Sequence, residues 1–195
     1  MNDTNNLNLP AILTQIEAAT KAIGFTMASD HLTGSLLRTL AATKPGGTLL
    51  ELGTGTGLAT AWLLDGMDAQ AKLLTVDQEE TVVAIARQHL AADPRVAFSV
   101  MDGAAFLELL ILQRQTFDLI FADTWPGKYS FLDETLALLK VGGLYVIDDM
   151  SPQEGWPEGH PMKVVNLIAE LEERQELHIT KLHWSTGLML ATKRS

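Results

Sequence analysis

Apolar positions at the start of the chain recur at helical spacing. Leu9, Ile12, Leu13, Ile16, Ala19 and Ile23 share one face of a helix that Asn8 would cap, with Pro10 in its first turn and Gly24 as its stop. Leu32, Leu36, Leu37 and Leu40 predict a second helix that begins near Ser29-Asp30 and ends at Pro45-Gly46-Gly47. The period then changes. Short apolar runs that end in an acid or a glycine cover 48–52, 73–77, 96–101, 117–123 and 144–149, with helix-length segments at 58–64, 79–91, 104–114, 131–139 and 162–174. That alternation is the βαβ rhythm of a parallel sheet. The last two strand-like runs, 177–184 and 188–193, are separated only by Ser185-Thr186-Gly187, a length that suits a hairpin and not a helical crossover. The expected fold is α/β: a doubly wound, mostly parallel seven-stranded sheet that closes with an antiparallel strand and is preceded by two helices. With no internal repeat and no long linker, the whole of 1–195 reads as one domain, divided into N-terminal helices (1–45) and a core (46–195).

Composition narrows the function. The 14 Lys+Arg against 24 Asp+Glu give a net charge of -10, which repels phosphate backbones and anionic membranes, so the expected partner is a small molecule. Met1-Asn2-Asp3-Thr4-Asn5-Asn6 lacks the basic start and apolar core of a leader, and no apolar run reaches the roughly 20 residues of a membrane span. The chain is expected to be cytoplasmic, and the amphipathic first helix offers a face for a homodimer. The absence of cysteine removes thiolate nucleophiles and thiolate metal sites, leaving carboxylates and imidazoles for any metal.

The most informative stretch is Leu49-Leu50-Glu51-Leu52-Gly53-Thr54-Gly55-Thr56-Gly57-Leu58, a buried strand that runs into a glycine turn and opens a helix. Glycines there let the backbone approach a ligand, and the helix N-terminus presents unpaired N–H groups toward it. A dinucleotide fingerprint would read G-x-G-x-x-G, whereas the third glycine here comes one residue early. The spacing argues against a nicotinamide-dependent oxidoreductase.

Glu51-Leu52-Gly53-Thr54-Gly55-Thr56-Gly57 resembles motif I of class I S-adenosylmethionine-dependent methyltransferases, and the whole chain from Gly24 is most similar to the catechol and caffeoyl-coenzyme A O-methyltransferases. The resemblance implies a Rossmann-like fold and an S-adenosylmethionine site made by Glu51, Gly53, Thr54, Gly55 and Gly57. Asp77, with Gln78 beside it, would hold the ribose, since a carboxylate offers only acceptors to a pair of hydroxyls. Asp102 and Gly103 would meet the adenine. For Asp77 and Asp102 the alternative is a helix cap. Gly24-Phe25-Thr26-Met27-Ala28-Ser29 is similar to the segment that brings a methionine to the sulfonium, with ordinary core packing of Met27 as the alternative. Trp125 would flank the adenine or simply pack.

Asp123-Thr124-Trp125-Pro126-Gly127-Lys128-Tyr129 and Gly143-Leu144-Tyr145-Val146-Ile147-Asp148-Asp149 resemble the family's fourth and fifth strand ends with two departures. Pro126 stands where the family has a lysine, and Asp149 where it has an asparagine. Asp123 and Lys128 are the nearest catalytic candidates. The loop Ser151-Pro152-Gln153-Glu154-Gly155-Trp156-Pro157-Glu158-Gly159-His160-Pro161 reads as a substrate lid, and His160 on it is the candidate general base. Asp123, Asp148 and Asp149 would converge at strand ends, where they need a cation (Mg2+ by their oxygen chemistry), a basic partner such as Lys128, or a shared proton. The expected activity is O-methylation of a small molecule, with a non-catalytic S-adenosylmethionine-binding regulator as the competing class.

Overall fold

A computed structural model describes residues 7–194 together with Asn2 and Thr4. The reading of 1–6 as unlike a leader therefore falls mostly outside the described residues. Strands β1 (Thr48–Leu52), β2 (Lys72–Asp77), β3 (Val96–Val100), β4 (Phe117–Ala122), β5 (Leu139–Ile147), β6 (Leu177–Leu182) and β7 (Leu188–Lys193) form one sheet. Their order is β3-β2-β1-β4-β5-β7-β6. The first five are mutually parallel, and β7 runs antiparallel to both β5 and β6.

Helices α1 (Leu13–Ala22), α2 (His31–Ala42), α3 (Leu58–Gly66) and α4 (Glu80–Leu90) contribute to one core, and α5 (Gly103–Leu112), α6 (Leu132–Leu138) and α7 (His160–Glu173) to the other. Period-two alternation divides the central strands between them. Leu49, Leu119, Phe121 and Val146 pack with Leu13, Leu37 and Trp62, while Leu50, Ile120, Tyr145 and Ile147 pack with Phe106, Leu136 and Leu167. Burial on both faces explains why these strands read as unbroken apolar runs. Because α1 and α2 share a core with the sheet, both helices are part of the same packed body.

Several boundaries differ from expectation, each for a local reason. Helix α1 begins at Leu13 and not behind Asn8, because Asn8 is left-handed (φ 53°) and its carbonyl, with that of Leu7, accepts hydrogen bonds from the Arg38 guanidinium. Leu9 and Ile23, expected on the buried face, are 43% and 50% exposed, and Thr20 is buried instead. Strand β5 starts at Leu139, directly after α6, and absorbs Gly142-Gly143 in a register shift against β4. Helix α7 starts at His160, two residues ahead of expectation, with left-handed Gly159 before it and Pro161 in its first turn. Among the described residues no helix is long and apolar enough to cross a membrane.

Candidate active site

β1 lies between β2 and β4, so the connections on its two sides lead away in opposite directions and leave a crevice at the carboxyl ends of the strands. A cavity of about 1090 Å³ occupies that crevice. The volume lies at or above the upper end of the range usual for small-molecule sites, enough for more than one ligand. Its wall runs from the glycine turn and Asp77 at one end to Asp123, Lys128, Asp148, Asp149 and His160 at the other.

At the first end, the Asp77 carboxylate braces the turn: Oδ2 accepts the Gly55 N–H at 2.9 Å and Oδ1 the Glu79 N–H at 3.1 Å. The cap of α4 is Glu79, so Asp77 is not consumed as a helix cap. A Cβ at Gly53 would stand 2.8 Å from the Asp123 carbonyl oxygen, which no side chain tolerates. That glycine closes the backbone of the turn onto the end of β4.

The second end is built by extending the parallel ladder past the strands. The Asp123 N–H donates to Leu52 O at 2.8 Å and the Asp148 N–H to Ala122 O at 3.1 Å, which fixes both carboxyl-bearing residues at neighbouring positions. The loop after Asp123 folds back on itself. Lys128 and Tyr129 N–H both reach Trp125 O, Gly127 takes φ 94°, and the Tyr145 hydroxyl donates to Gly127 O. A Cβ on Gly127 would meet Leu52 Cδ1 at 2.5 Å, so the turn depends on glycine. The Pro126-Gly127 turn thereby sends Lys128 inward, where it is 4% exposed and its Nζ donates to Asp148 O at 2.8 Å.

The electrostatics follow from this burial. Desolvation and the neighbouring Asp148 push the Asp123 carboxyl well above the usual range, against the opposing pull of Lys128. Asp148 is raised to about 6, again chiefly by burial. His160 is 9% exposed, its ring centre 4.4 Å from that of Trp156 at a tilt of 48°, and its Nε2 within 3.2 Å of the Tyr129 hydroxyl. Burial and the nearby Lys128 lower its pKa, so the ring is neutral at pH 7, and Nδ1 is buried without a partner. Tyr129 is pushed up to about 12 by burial and the adjacent aspartates, and stays protonated.

Residues 43–190 match the family model described as a methyltransferase domain. The chain belongs to this family. It is 32% identical over 151 residues to a protein named as an O-methyltransferase from Mycobacterium avium, covering 71% of this chain and 68% of that one. A second relative so named, from Mycolicibacterium smegmatis, is 34% identical over 117 residues, and the chain spans only 56% of its length. Among solved structures, the fold is shared with an O-methyltransferase from Bacillus cereus in complex with SAH (TM-score 0.83, 18% identity, 94% and 91% coverage). It is shared equally with the O-methyltransferase TomG from Streptomyces achromogenes in complex with SAM (TM-score 0.82, 21% identity, 95% and 90% coverage).

Within this methyltransferase the residues singled out from the sequence divide into two groups. Met27, Gly53, Thr54, Gly55, Asp77, Gln78, Asp123, Trp125, Lys128, Asp148, Asp149 and His160 all line the cavity, although Met27 is 78% exposed at its mouth. Glu51, Gly57, Asp102 and Gly103 do not line it. Glu51 lies fully buried behind the turn, its Oε2 accepting hydroxyls of Thr60 and Thr75 at 2.6 Å each. Gly57 serves helix packing, since a Cβ there would stand 2.9 Å from that of Ala86. Asp102 is the cap of α5, accepting from Ala105 N–H at 3.0 Å, and Gly103 packs on Pro126.

The three aspartates expected to hold a cation are partly engaged by the chain's own donors. Asp148 Oδ1 accepts from the Thr186 hydroxyl and the Asp149 N–H, and Asp123 Oδ2 accepts from Ser29 Oγ at 2.9 Å. Among the described residues no group of three or more His, Asp or Glu side chains is arranged to hold a metal. Ser29, Tyr129 and Thr186 were not among the expected site residues. Ser29 and Thr186 act across 94 and 38 positions, distances at which sequence spacing gives no signal.

Proposed function

We propose that this chain transfers the methyl group of S-adenosylmethionine to a hydroxyl oxygen of a small molecule. The observation that carries the reading is the continuity of one cavity from Asp77 and the glycine turn to Asp123, Lys128, Tyr129 and His160. The names of the curated relatives and the SAM and SAH bound in fold neighbours support it. S-adenosylmethionine supplies an electrophilic methyl on a sulfonium. The acceptor O–CH3 bond forms as the S–CH3 bond breaks, with the electron pair left on sulfur and the hydroxyl proton released to His160.

The chain's own residues do the rest. Asp77 would offer acceptors to the ribose hydroxyls, and Trp125 and Met27, both exposed where they line the cavity, would cover the cofactor. In-line displacement depends mainly on proximity and alignment, which the rigid strand ends supply. A neutral His160 in the cavity wall is the candidate to take the proton. The acidic net charge of -10 favours a small acceptor over nucleic acid.

Calorimetry with S-adenosylhomocysteine tests the reading. Asp77→Ala should weaken binding roughly tenfold or more, because a charge-assisted hydrogen bond contributes about 1.5 to 3 kcal/mol. Unchanged affinity in that variant, or tighter binding of NAD, rejects the assignment. Methyl turnover on a panel of phenols and carboxylic acids separates an enzyme from a cofactor-binding regulator, and loss of turnover in His160→Ala with cofactor affinity retained assigns the base.

A further inference from the structure

Asp123, Asp148 and Asp149 are the carboxylates whose convergence at the strand ends called for a cation, Mg2+ by their oxygen chemistry, yet the donor atoms and the surrounding charge do not fit that ion. Asp148 Oδ1 is held by Thr186 and by the Asp149 N–H, and Asp123 Oδ2 by Ser29. The same wall carries a cation of the chain's own. Lys128 is buried, its Nζ hydrogen-bonded to the Asp148 carbonyl at 2.8 Å and 5.6 Å from the centre of the Tyr129 ring. It is fixed there by the Pro126-Gly127 turn and by the Tyr145 hydroxyl on Gly127 O, so it is a built feature of the loop and not a surface lysine folded inward.

Resting on the function proposed above, we propose that the Lys128 ammonium takes the place of the divalent cation in this chain, so that methyl transfer here is independent of metal. The lysine supplies the positive charge toward which the acceptor oxygen develops its negative charge. A divalent ion placed among the same carboxylates would face a like charge at short range in a poorly screened site, which disfavours its binding. Pro126 and Lys128 are then one device: the lysine that the family carries three residues after the aspartate is absent, and the tightened turn delivers another from two residues further on.

Mn2+ titration followed by the electron paramagnetic resonance of the free ion tests this without relying on turnover. The wild-type protein saturated with S-adenosylhomocysteine should leave the free-ion signal unchanged up to about 1 mM Mn2+, a range in which carboxylate sites commonly fill. Lys128→Met, which keeps the bulk and removes the charge, should gain Mn2+ affinity by roughly tenfold or more, while Lys128→Arg should not. Wild-type turnover should survive exhaustive chelation. Mn2+ binding to the wild type below about 1 mM, or activity lost to chelator and restored by Mg2+, overturns the proposal. So does a folded Lys128→Met protein that binds S-adenosylhomocysteine and gains no Mn2+ affinity. Should Lys128→Met fail to fold, the wild-type titration still decides. Failure of the wild type to bind S-adenosylhomocysteine would reject the function itself, a result the Mn2+ signal does not mimic.

Discussion

Glu51 has no exposed surface, two hydroxyls on Oε2 and no partner on Oε1. Burial outweighs both hydrogen bonds and lifts its pKa from 4.5 to about 7. The folded protein therefore keeps a proton that the unfolded chain releases above pH 4.5, and stability falls as pH rises through about 7. At ~1.4 kcal/mol per unit, full ionisation costs on the order of 3 kcal/mol. Glu51→Gln removes the titration. Denaturant unfolding at pH 5 and pH 8 should show the wild type losing about 3 kcal/mol relative to the variant over that interval. Parallel pH profiles for the two proteins would mean that Glu51 is ionised in the native state. The motif announces that an acid stands here, but not its distance from the cavity: Thr60 and Thr75, which turn it inward, lie 9 and 24 positions away and look like ordinary helix and strand residues.

At the scale of elements, α2 and α3 meet through a glycine. A Cβ added to Gly34 would stand 2.2 to 2.6 Å from the Trp62 indole, which is 1% exposed and capped by the Arg38 guanidinium 4.8 Å from its ring. Helix propensity alone would make Gly34→Ala stabilising by about 0.5 to 1 kcal/mol. Overpacking a filled core costs about 1 to 3 kcal/mol, and with the flat indole pinned the clash wins. The variant should unfold at a lower temperature than wild type, and a raised midpoint would show that Trp62 yields freely. This contact also marks what was legible. Apolar periodicity located the strands and helices and the closing hairpin, because each depends on neighbours within a few positions. It missed the left-handed turn at Asn8, which Arg38 secures from 30 positions away, and the start of α7, where His160 read as part of a lid. It also extended 177–184 too far: β6 stops at Leu182, and Trp184 turns aside to donate its indole N–H to Leu32 O on α2. Within the site, the glycine turn, Asp77 and the ends of β4 and β5 were legible as cavity wall, Glu51, Gly57 and Asp102 were expected there and lie outside it, and Ser29 and Thr186, which act across the fold, were not seen.

The molecule as a whole carries a net charge of -10 at neutral pH and a pI near 4.8, so self-repulsion grows as pH rises. The buried acids act in the same direction. Glu51, Asp123 and Asp148 all hold protons to higher pH in the folded state than in the unfolded chain, Asp148 to about 6 and Glu51 to about 7, so each withdraws stability as pH climbs. His160 opposes them: its pKa is lowered from 6.5, so its contribution is present above that value and is lost as pH falls through the folded pKa. Asp93 and Asp118, lowered below 3.8 by Arg95 and Lys140, withdraw stability only in stronger acid. Three carboxylates against one imidazole keep stability rising as pH falls until the unfolded carboxyls also take up protons, which places the maximum well on the acid side of neutrality, near the unfolded glutamate value of about 4.5. Urea midpoints measured from pH 4 to pH 8 should peak there. Salt distinguishes the two causes, because the screening length shrinks from about 8 Å at physiological ionic strength to about 3 Å at 1 M, which quenches surface repulsion but not the cost of burying a charge. The fall in stability between pH 6 and pH 8 should therefore persist in about 1 M salt, at reduced amplitude. A maximum above pH 7 would mean that the buried carboxylates are ionised in the native protein, and a pH dependence abolished by salt would assign the whole effect to the surface.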